Sequence, residues 1–188
     1  MVASLDGFIA KKDESINWMY SHDKYEKGQT LTNEEITEFL NKIDCYLMGS
    51  KTYERALEIG WPYGDTPILV LTDRKLKRKN NSVEFYSGDL NKLIKDQLKP
   101  TYKNVWMVGG SMVTKEFLLQ NLADEIVISI LPIILGDGLP FFDYIGKEQP
   151  LHLKDVKTYQ DGMVELNYEI KKESKKKLNI GQKFLFTF

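Results

Sequence analysis

Short apolar runs that end in glycine- or proline-marked turns alternate, along the first 170 residues, with stretches whose apolar positions recur every three or four residues. The first run, Val2, Ala3 and Leu5, reads as the second half of a strand that turns at Asp6-Gly7. It continues from Phe8 to Ala10 into a polar loop near Ile16-Asn17-Trp18. Thr32-Asn33-Glu34-Glu35 has the form of a capping box, in which the Thr32 hydroxyl accepts from the Glu35 amide and the Glu35 carboxylate reaches back. The spacing of Ile36, Phe39, Leu40 and Ile43 then predicts a helix with one buried face. Cys45 to Met48 predicts a buried strand, and Gly49-Ser50-Lys51-Thr52 a turn. Tyr53 to Ile59 follows as a short helix closed by Gly60.

The same alternation continues downstream. Ile68 to Leu71 and Val83 to Tyr86 predict strands. Asp89 caps a helix through Leu90, Leu93, Ile94 and Leu98 that Pro100 is expected to stop, since proline removes a helix donor and clashes with the preceding turn. Val105 to Val108 predicts a strand, Gly109-Gly110 a turn, and Met112 to Asn121 a helix with Val113, Phe117 and Leu118 inward. Glu125 to Leu131 is the next strand. Leu151 to Tyr159 and Met163 to Ile170 flank Asp161-Gly162 with period-two alternation at Val164, Leu166, Tyr168 and Ile170, a hairpin signature. Strands joined by helices and closed by an antiparallel hairpin predict a three-layer α/β domain.

Composition narrows the chemistry. The chain has 188 residues, 42% hydrophobic and 12% aromatic, with 26 basic against 27 acidic side chains. That length suits one domain with a continuous core. The apolar share excludes a disordered chain, and near-zero charge gives no electrostatic reason to expect nucleic acid or an anionic membrane as partner. The charge is unevenly spread. Residues 171–188 hold six lysines against the single acid Glu173, leaving 20 basic and 26 acidic side chains, net −6, in residues 1–170. The chain therefore divides into a domain at 1–170 and a basic C-terminal tail at 171–188. One cysteine, Cys45, and two histidines, His22 and His152, leave no material for a disulfide framework or a Cys/His zinc site. Cys45 reads as a core thiol and the histidines as surface residues. The first ten residues lack the pattern of a signal peptide, so a cytoplasmic location is the expectation.

Candidate chemistry gathers at three strand-to-turn junctions, because open α/β sheets collect ligands beyond the carboxyl ends of their strands. At Gly109-Gly110-Ser111 two glycines let backbone amides approach an anion, ahead of a helix N-terminus with unpaired N–H groups. Gly49-Ser50-Lys51-Thr52 adds two hydroxyls and an ammonium. Thr72-Asp73-Arg74 adds a hydroxyl and a guanidinium suited to bidentate phosphate binding, beside the basic segment Lys75 to Lys79. Taken singly, Gly109-Gly110 is compatible with an ordinary turn and Lys75 to Lys79 with a solvated loop. Gly49-Ser50-Lys51-Thr52 is not a triphosphate-binding loop, since that motif needs glycine where this chain has Asp44. Together the three junctions fit a dinucleotide with three phosphates.

Five segments taken in order carry a family resemblance. They are Val2-Ala3-Ser4-Leu5-Asp6-Gly7-Phe8-Ile9-Ala10, Met48-Gly49-Ser50-Lys51-Thr52-Tyr53-Glu54, Val70-Leu71-Thr72-Asp73-Arg74, Val108-Gly109-Gly110-Ser111 and Leu135-Gly136-Asp137-Gly138-Leu139-Pro140-Phe141-Phe142. Through them residues 1–170 resemble the dihydrofolate reductase superfamily, and within it the branch similar to the C-terminal reductase domain of the bacterial bifunctional riboflavin deaminase-reductase. The resemblance implies a mostly parallel central sheet flanked by helices, NADPH as hydride donor, and a homodimer. It places Gly49, Ser50, Lys51 and Thr52 on the pyrophosphate side, and Thr72, Asp73 and Arg74 around the 2′-phosphate. Gly109, Gly110, Ser111, Met112 and Val113 are expected to wrap the pyrophosphate, and Ala3 and Ile9 to line the nicotinamide.

For proton delivery the superfamily uses a carboxylate about five positions after a tryptophan on its first helix, a spacing that Trp18 and Asp23 reproduce. Asp6, in the turn beside the expected nicotinamide, is the other candidate. Where the riboflavin-pathway enzymes carry a Thr-Val-Arg-Ala-Asp-type segment this chain has Thr52-Tyr53-Glu54-Arg55-Ala56, so their sugar-phosphate substrate is not implied. Trp18, Tyr20, Trp61 and Tyr63 could stack on a flat heterocycle, or pack within the fold. The expectation is an NADPH-dependent reductase of a small pterin-like or pyrimidine heterocycle, with a dinucleotide-binding protein lacking turnover as the alternative.

Overall fold

The computed structural model describes residues 1–172 and 185–187. β1 (Val2–Ser4), β2 (Phe8–Ala10), β3 (Cys45–Gly49), β4 (Ile68–Leu71), β5 (Val83–Tyr86), β6 (Val105–Gly109) and β7 (Glu125–Leu131) arise where short apolar runs meet turn residues. α1 (Asn33–Leu40), α2 (Ser50–Glu58) and α5 (Ser111–Leu119) connect them. Between β5 and β6 lie α3 (Leu90–Leu93), a π-helical turn (Ile94–Leu98) and α4 (Lys99–Thr101). The chain then forms β8 (Leu139–Pro140), β9 (Leu151–Thr158), β10 (Val164–Ile170) and β11 (Leu185–Thr187).

Two ladders make up the central layer. One has the order β5-β4-β3-β6, parallel throughout. In the other, β1 lies parallel on β7, and β10 and β9 follow antiparallel as the predicted hairpin. Strands such as β3 and β4 read as continuous apolar runs because both faces of a parallel sheet are covered. On one face Cys45, Leu47, Met107, Ile126, Phe117 and Leu118 share a core. On the other, Tyr46, Met48, Ile68 and Val70 pack with Tyr53 of α2. Burial pushes the Cys45 thiol up to about 12, as suits a core thiol.

Four local expectations change in the fold. The capping box at Thr32 and Glu35 forms, yet none of the residues of α1 is buried, and Ile36 and Leu40 are 39% and 44% exposed. The helix stands over a cavity of about 490 Å³ floored by Val2, Trp106, Val127 and Asn167, so its apolar face is not sealed against the sheet. Pro100 does not end the third helical stretch. It sits in the first turn of α4, where a missing N–H costs little, after the π-helical turn has shifted the ladder. Trp61 and Tyr63 do not form a loop platform: Trp61 packs edge-on with Tyr53 and Tyr63, Tyr63 lies tilted against Tyr46 at the rim of the second core, and Trp18 is buried. Of the four candidate stacking aromatics only Tyr20 is exposed. Asp23 lies in a loop rather than on a first helix.

The reading of 171–188 as an appended tail falls mostly outside the described residues. Within them, the Lys171 amide donates to the Pro150 carbonyl (3.0 Å), and Lys172 pairs with Asp124. β11 lies parallel on Glu125–Val127 of β7, on the edge that β1 occupies at Ser129–Leu131, and packs beside β6. At the far side of this ladder the β9 edge exposes Leu151, Leu153 and Val156.

Candidate active site

The parallel register of β3, β4 and β6 brings the glycine junctions side by side, with Gly49 paired to Leu71 and Met48 to Gly109. Gly49 caps α2 and Gly110 caps α5, and neither helix has a side-chain cap or an acid in its first turn. Both N-termini therefore keep unpaired amides and the positive end of the helix dipole for an outside anion. The two junctions touch: a Cβ on Gly110 would sit 3.7 Å from Thr52 Oγ1, and one on Gly49 would sit 3.2 Å from Val113 Cγ2. Gly109 has φ +106°, a conformation that favours glycine, and its peptide bond to Gly110 is cis. Ser50, Thr52, Ser111 and Val113 are half-buried around this point, while Lys51 and Met112 project into solvent.

At the next strand end the Arg74 amide donates to Thr72 Oγ1 (3.0 Å), which folds the turn. The Arg74 guanidinium is paired bidentately with Glu54 of α2, Nη1 to Oε2 at 2.8 Å and Nη2 to Oε1 at 2.6 Å. Their hydrogen bond and mutual attraction hold the Glu54 carboxyl below its ordinary value and the guanidinium above its own. Asp73 accepts from Ser87 Oγ and so ties this turn to the end of β5.

A third wall comes from β1, β2 and the loop before β8. Lys51 Nζ lies 3.9 Å from Glu14 Oε1, which sets the loop after β2 beside the first turn of α2. The Leu135 and Gly136 amides donate to Asp6 Oδ1 (3.1 Å) and Oδ2 (2.7 Å). A hydrogen bond from Ser4 and these amides hold the Asp6 carboxyl below its ordinary value. That gives Asp6 a structural task, joining its own turn to the loop before β8 through two accepted hydrogen bonds. Ile9 is half-buried against the first core, whereas Ala3 is fully enclosed and presents no surface of its own.

The second candidate acid faces open space. Tyr20, Ser21, His22 and Asp23 line a cavity of about 470 Å³ against Leu131, Pro132 and Ile133 at the end of β7. This loop is fastened to the tip of the β9–β10 hairpin. The Tyr25 amide donates to the Gln160 carbonyl (2.7 Å), the Gln29 amide to the Thr158 carbonyl (2.8 Å), and the Gln160 amide to the Gln29 carbonyl (3.0 Å). Two glycines permit the fit. A Cβ on Gly162 would fall 2.4 Å from Asp23 Oδ2, and one on Gly28 would fall 2.3 Å from the Tyr159 carbonyl carbon. The first obstacle is the end of a movable side chain; the second is backbone. Gly28→Ala is accordingly expected to cost about 1–3 kcal/mol, the usual penalty for overpacking. Hydrogen exchange should show lost protection at the Tyr25, Gln29 and Gln160 amides, and retained protection there would mean that the joint tolerates a side chain.

With this geometry in view, comparison with known proteins decides the family. A model of the RibD C-terminal domain matches residues 1–164. The chain belongs to the RibD C-terminal domain family. It is 29% identical over 170 residues to the uncharacterized protein YwjB of Bacillus subtilis (strain 168), covering 89% of this chain and 94% of YwjB. A pig (Sus scrofa) dihydrofolate reductase is 30% identical over 109 residues, 56% of this chain and 57% of that protein. The crystal structure of a protein of Shewanella sp. PV-4 ascribed to riboflavin biosynthesis superposes with TM-score 0.77 at 25% identity, over 92% of this chain and 97% of the other. The RibD C-terminal family places the chain in the reductase-like class of the riboflavin pathway and of dihydrofolate reductase.

Within this RibD C-terminal fold the residues singled out in sequence fall into two groups. Gly49 to Thr52, Thr72 to Arg74 and Gly109 to Val113 meet at one sheet edge, because each is the last position of a parallel strand and the turn that follows it. Asp23 and Asp6 separate, one beside a cavity and one, exposed, accepting the hydrogen bonds of a neighbouring turn. Three features had no assignable role in sequence: Glu54 as the partner of Arg74, His22 as a cavity residue, and Gly28 with Gly162 as the seat of the loop. Glu54 stands inside a quoted motif, flanked by Lys51 and Arg55, and could have been noticed there. The other two depend on contacts more than 100 residues apart in sequence and leave no local trace.

Among the described residues, no group of three or more His, Cys, Asp or Glu side chains is placed to hold a metal ion, and no helix is long and apolar enough to cross a membrane.

Proposed function

We propose that the protein is an NADPH-dependent reductase that delivers a hydride to a carbon of a small pterin-like or pyrimidine heterocycle. The observation that carries this reading is the convergence of two uncapped helix N-termini with a guanidinium-bearing turn at one sheet edge. Those donors fit a dinucleotide: amides at Ser50 to Thr52 and Ser111 to Val113 for the pyrophosphate, Thr72 and Arg74 for the 2′-phosphate. NADPH, when bound, supplies the hydride. The chain's own part is to hold the dinucleotide, exclude bulk water and move one proton. The cavity under Tyr20, Ser21, His22 and Asp23 is large enough for a heterocycle, and its aromatic and carboxylate groups suit stacking and proton delivery. Asp23 is the group that passes a proton, directly or through one water, to the substrate atom next to the reduced carbon.

Titration calorimetry with NADPH and NADH tests the cofactor, and NADPH oxidation against dihydropterins and amino-pyrimidine carbonyl compounds tests turnover. Arg74→Ala should weaken NADPH by about 1–3 kcal/mol, the worth of a hydrogen bond to a charged group, with little effect on NADH. Equal losses for both would separate Arg74 from the 2′-phosphate. Binding of NADPH with no oxidation on any substrate would favour the dinucleotide-binding protein without turnover.

A further inference from the structure

The Arg74 guanidinium expected to meet the 2′-phosphate is already engaged. Glu54 holds both of its terminal nitrogens in a bidentate pair, the geometry a phosphate would itself use. The pair is half exposed, so either partner can exchange with solvent or a ligand. Lys51 stands one turn earlier on the same helix and also lowers the Glu54 carboxyl, and the exposed Lys75, Lys77, Arg78 and Lys79 follow the turn, while the neighbouring acids Asp73 and Glu14 are engaged by Ser87 Oγ and Lys51 Nζ. Glu54 is thus an acid placed where an arriving 2′-phosphate, carrying close to two negative charges, is repelled by it and competes with it for one guanidinium. A carboxylate at this point is also the group that accepts a hydrogen bond from the free ribose 2′-hydroxyl of NADH.

Resting on the dinucleotide reading above, we propose that Glu54 is a cofactor-selectivity residue that works against the 2′-phosphate. In the free protein Glu54 closes Arg74. NADPH has to open the pair, whereas NADH leaves it intact and uses the carboxylate. The protein consequently discriminates between the two dinucleotides less than its basic segment alone would dictate. Selectivity is set by the balance of Glu54 and Arg74.

Calorimetric titration of the full chain with NADPH and with NADH, for wild type, Glu54→Gln, Arg74→Ala and the double variant, tests this. Glutamine keeps the shape and removes the charge, and thermal unfolding checks that each variant is folded. Glu54→Gln is expected to tighten NADPH on the order of tenfold, from the removal of a close like charge, while NADH stays level or weakens. In the Arg74→Ala background the tightening should shrink, since no guanidinium remains to be released. A level or reduced NADPH-to-NADH affinity ratio in Glu54→Gln would overturn the proposal while leaving the cofactor assignment in place; a reduced ratio would make Glu54 a support for Arg74. Failure of wild type to bind either dinucleotide would overturn the cofactor reading and this proposal with it.

Discussion

Asp23→Asn is expected to lower the turnover of whichever heterocycle supports NADPH oxidation by roughly 10²- to 10⁴-fold, the usual contribution of a positioned acid or base. NADPH affinity should not change, because Asp23 borders a cavity that none of the glycine-junction residues lines. The split matters more than the size. Loss in kcat with unchanged NADPH binding marks a proton-transfer role; loss in both would mean that the loop itself has moved. The substitution is nearly isosteric, and the Asp23 amide keeps its bond to Ser21 Oγ (3.0 Å). An unaltered kcat would remove Asp23 from the reaction and leave the cofactor site untouched. His22 would then be the next group to replace, as the cavity's other titratable side chain besides Tyr20.

Tyr53→Ala should cost about 3–5 kcal/mol of folding stability, the range for emptying a buried aromatic site. Tyr53 is 1% exposed, and its ring meets Trp61 at 5.8 Å and Phe85 at 5.6 Å, both edge-on. Its hydroxyl donates to the Lys77 carbonyl at 2.8 Å, fastening the basic segment to α2. Tyr53→Phe separates the two contributions. It keeps the ring and drops one hydrogen bond, for about 1 kcal/mol. If that bond holds the turn that carries Arg74, Tyr53→Phe should weaken NADPH modestly and NADH not at all. Urea unfolding measures the first effect and calorimetry the second. A Tyr53→Ala loss below about 1 kcal/mol would contradict the packing described for this face of the sheet.

Much of this was legible before any tertiary structure. The strands at Ile68–Leu71, Val83–Tyr86 and Glu125–Leu131 have the bounds their apolar runs predict, and the hairpin forms around Asp161-Gly162. These are local effects: an apolar run of strand length, a capping box or an Asp-Gly turn acts within a few residues. The meeting of the glycine junctions at one sheet edge was legible for the same reason. Each junction is a strand end followed by a helix start, and parallel pairing then aligns the ends.

What the sequence could not carry is whatever depends on distance along the chain. Periodicity gave α1 an apolar face but not a surface to seal it against. Pro100 reads as a stop until the π-helical turn before it changes the register. Asp6 and Asp23 are both candidate acids in sequence, one from its turn and the other from its spacing after Trp18. Contacts with Leu135 and Gly136 make one a lock, and a cavity wall shared with Leu131, Pro132 and Ile133 makes the other a candidate acid. Glu54 and Arg74 meet across 20 residues, and the loop holding Asp23 is seated on a hairpin 130 residues downstream. The sequence by itself determined the layers of this fold and the gathering of glycine junctions at one sheet edge, because propensity, period and glycine placement act locally. The tertiary structure alone decided which carboxylate faces a cavity and which cation is already paired, because those follow from side chains that only the folded chain brings within hydrogen-bonding distance.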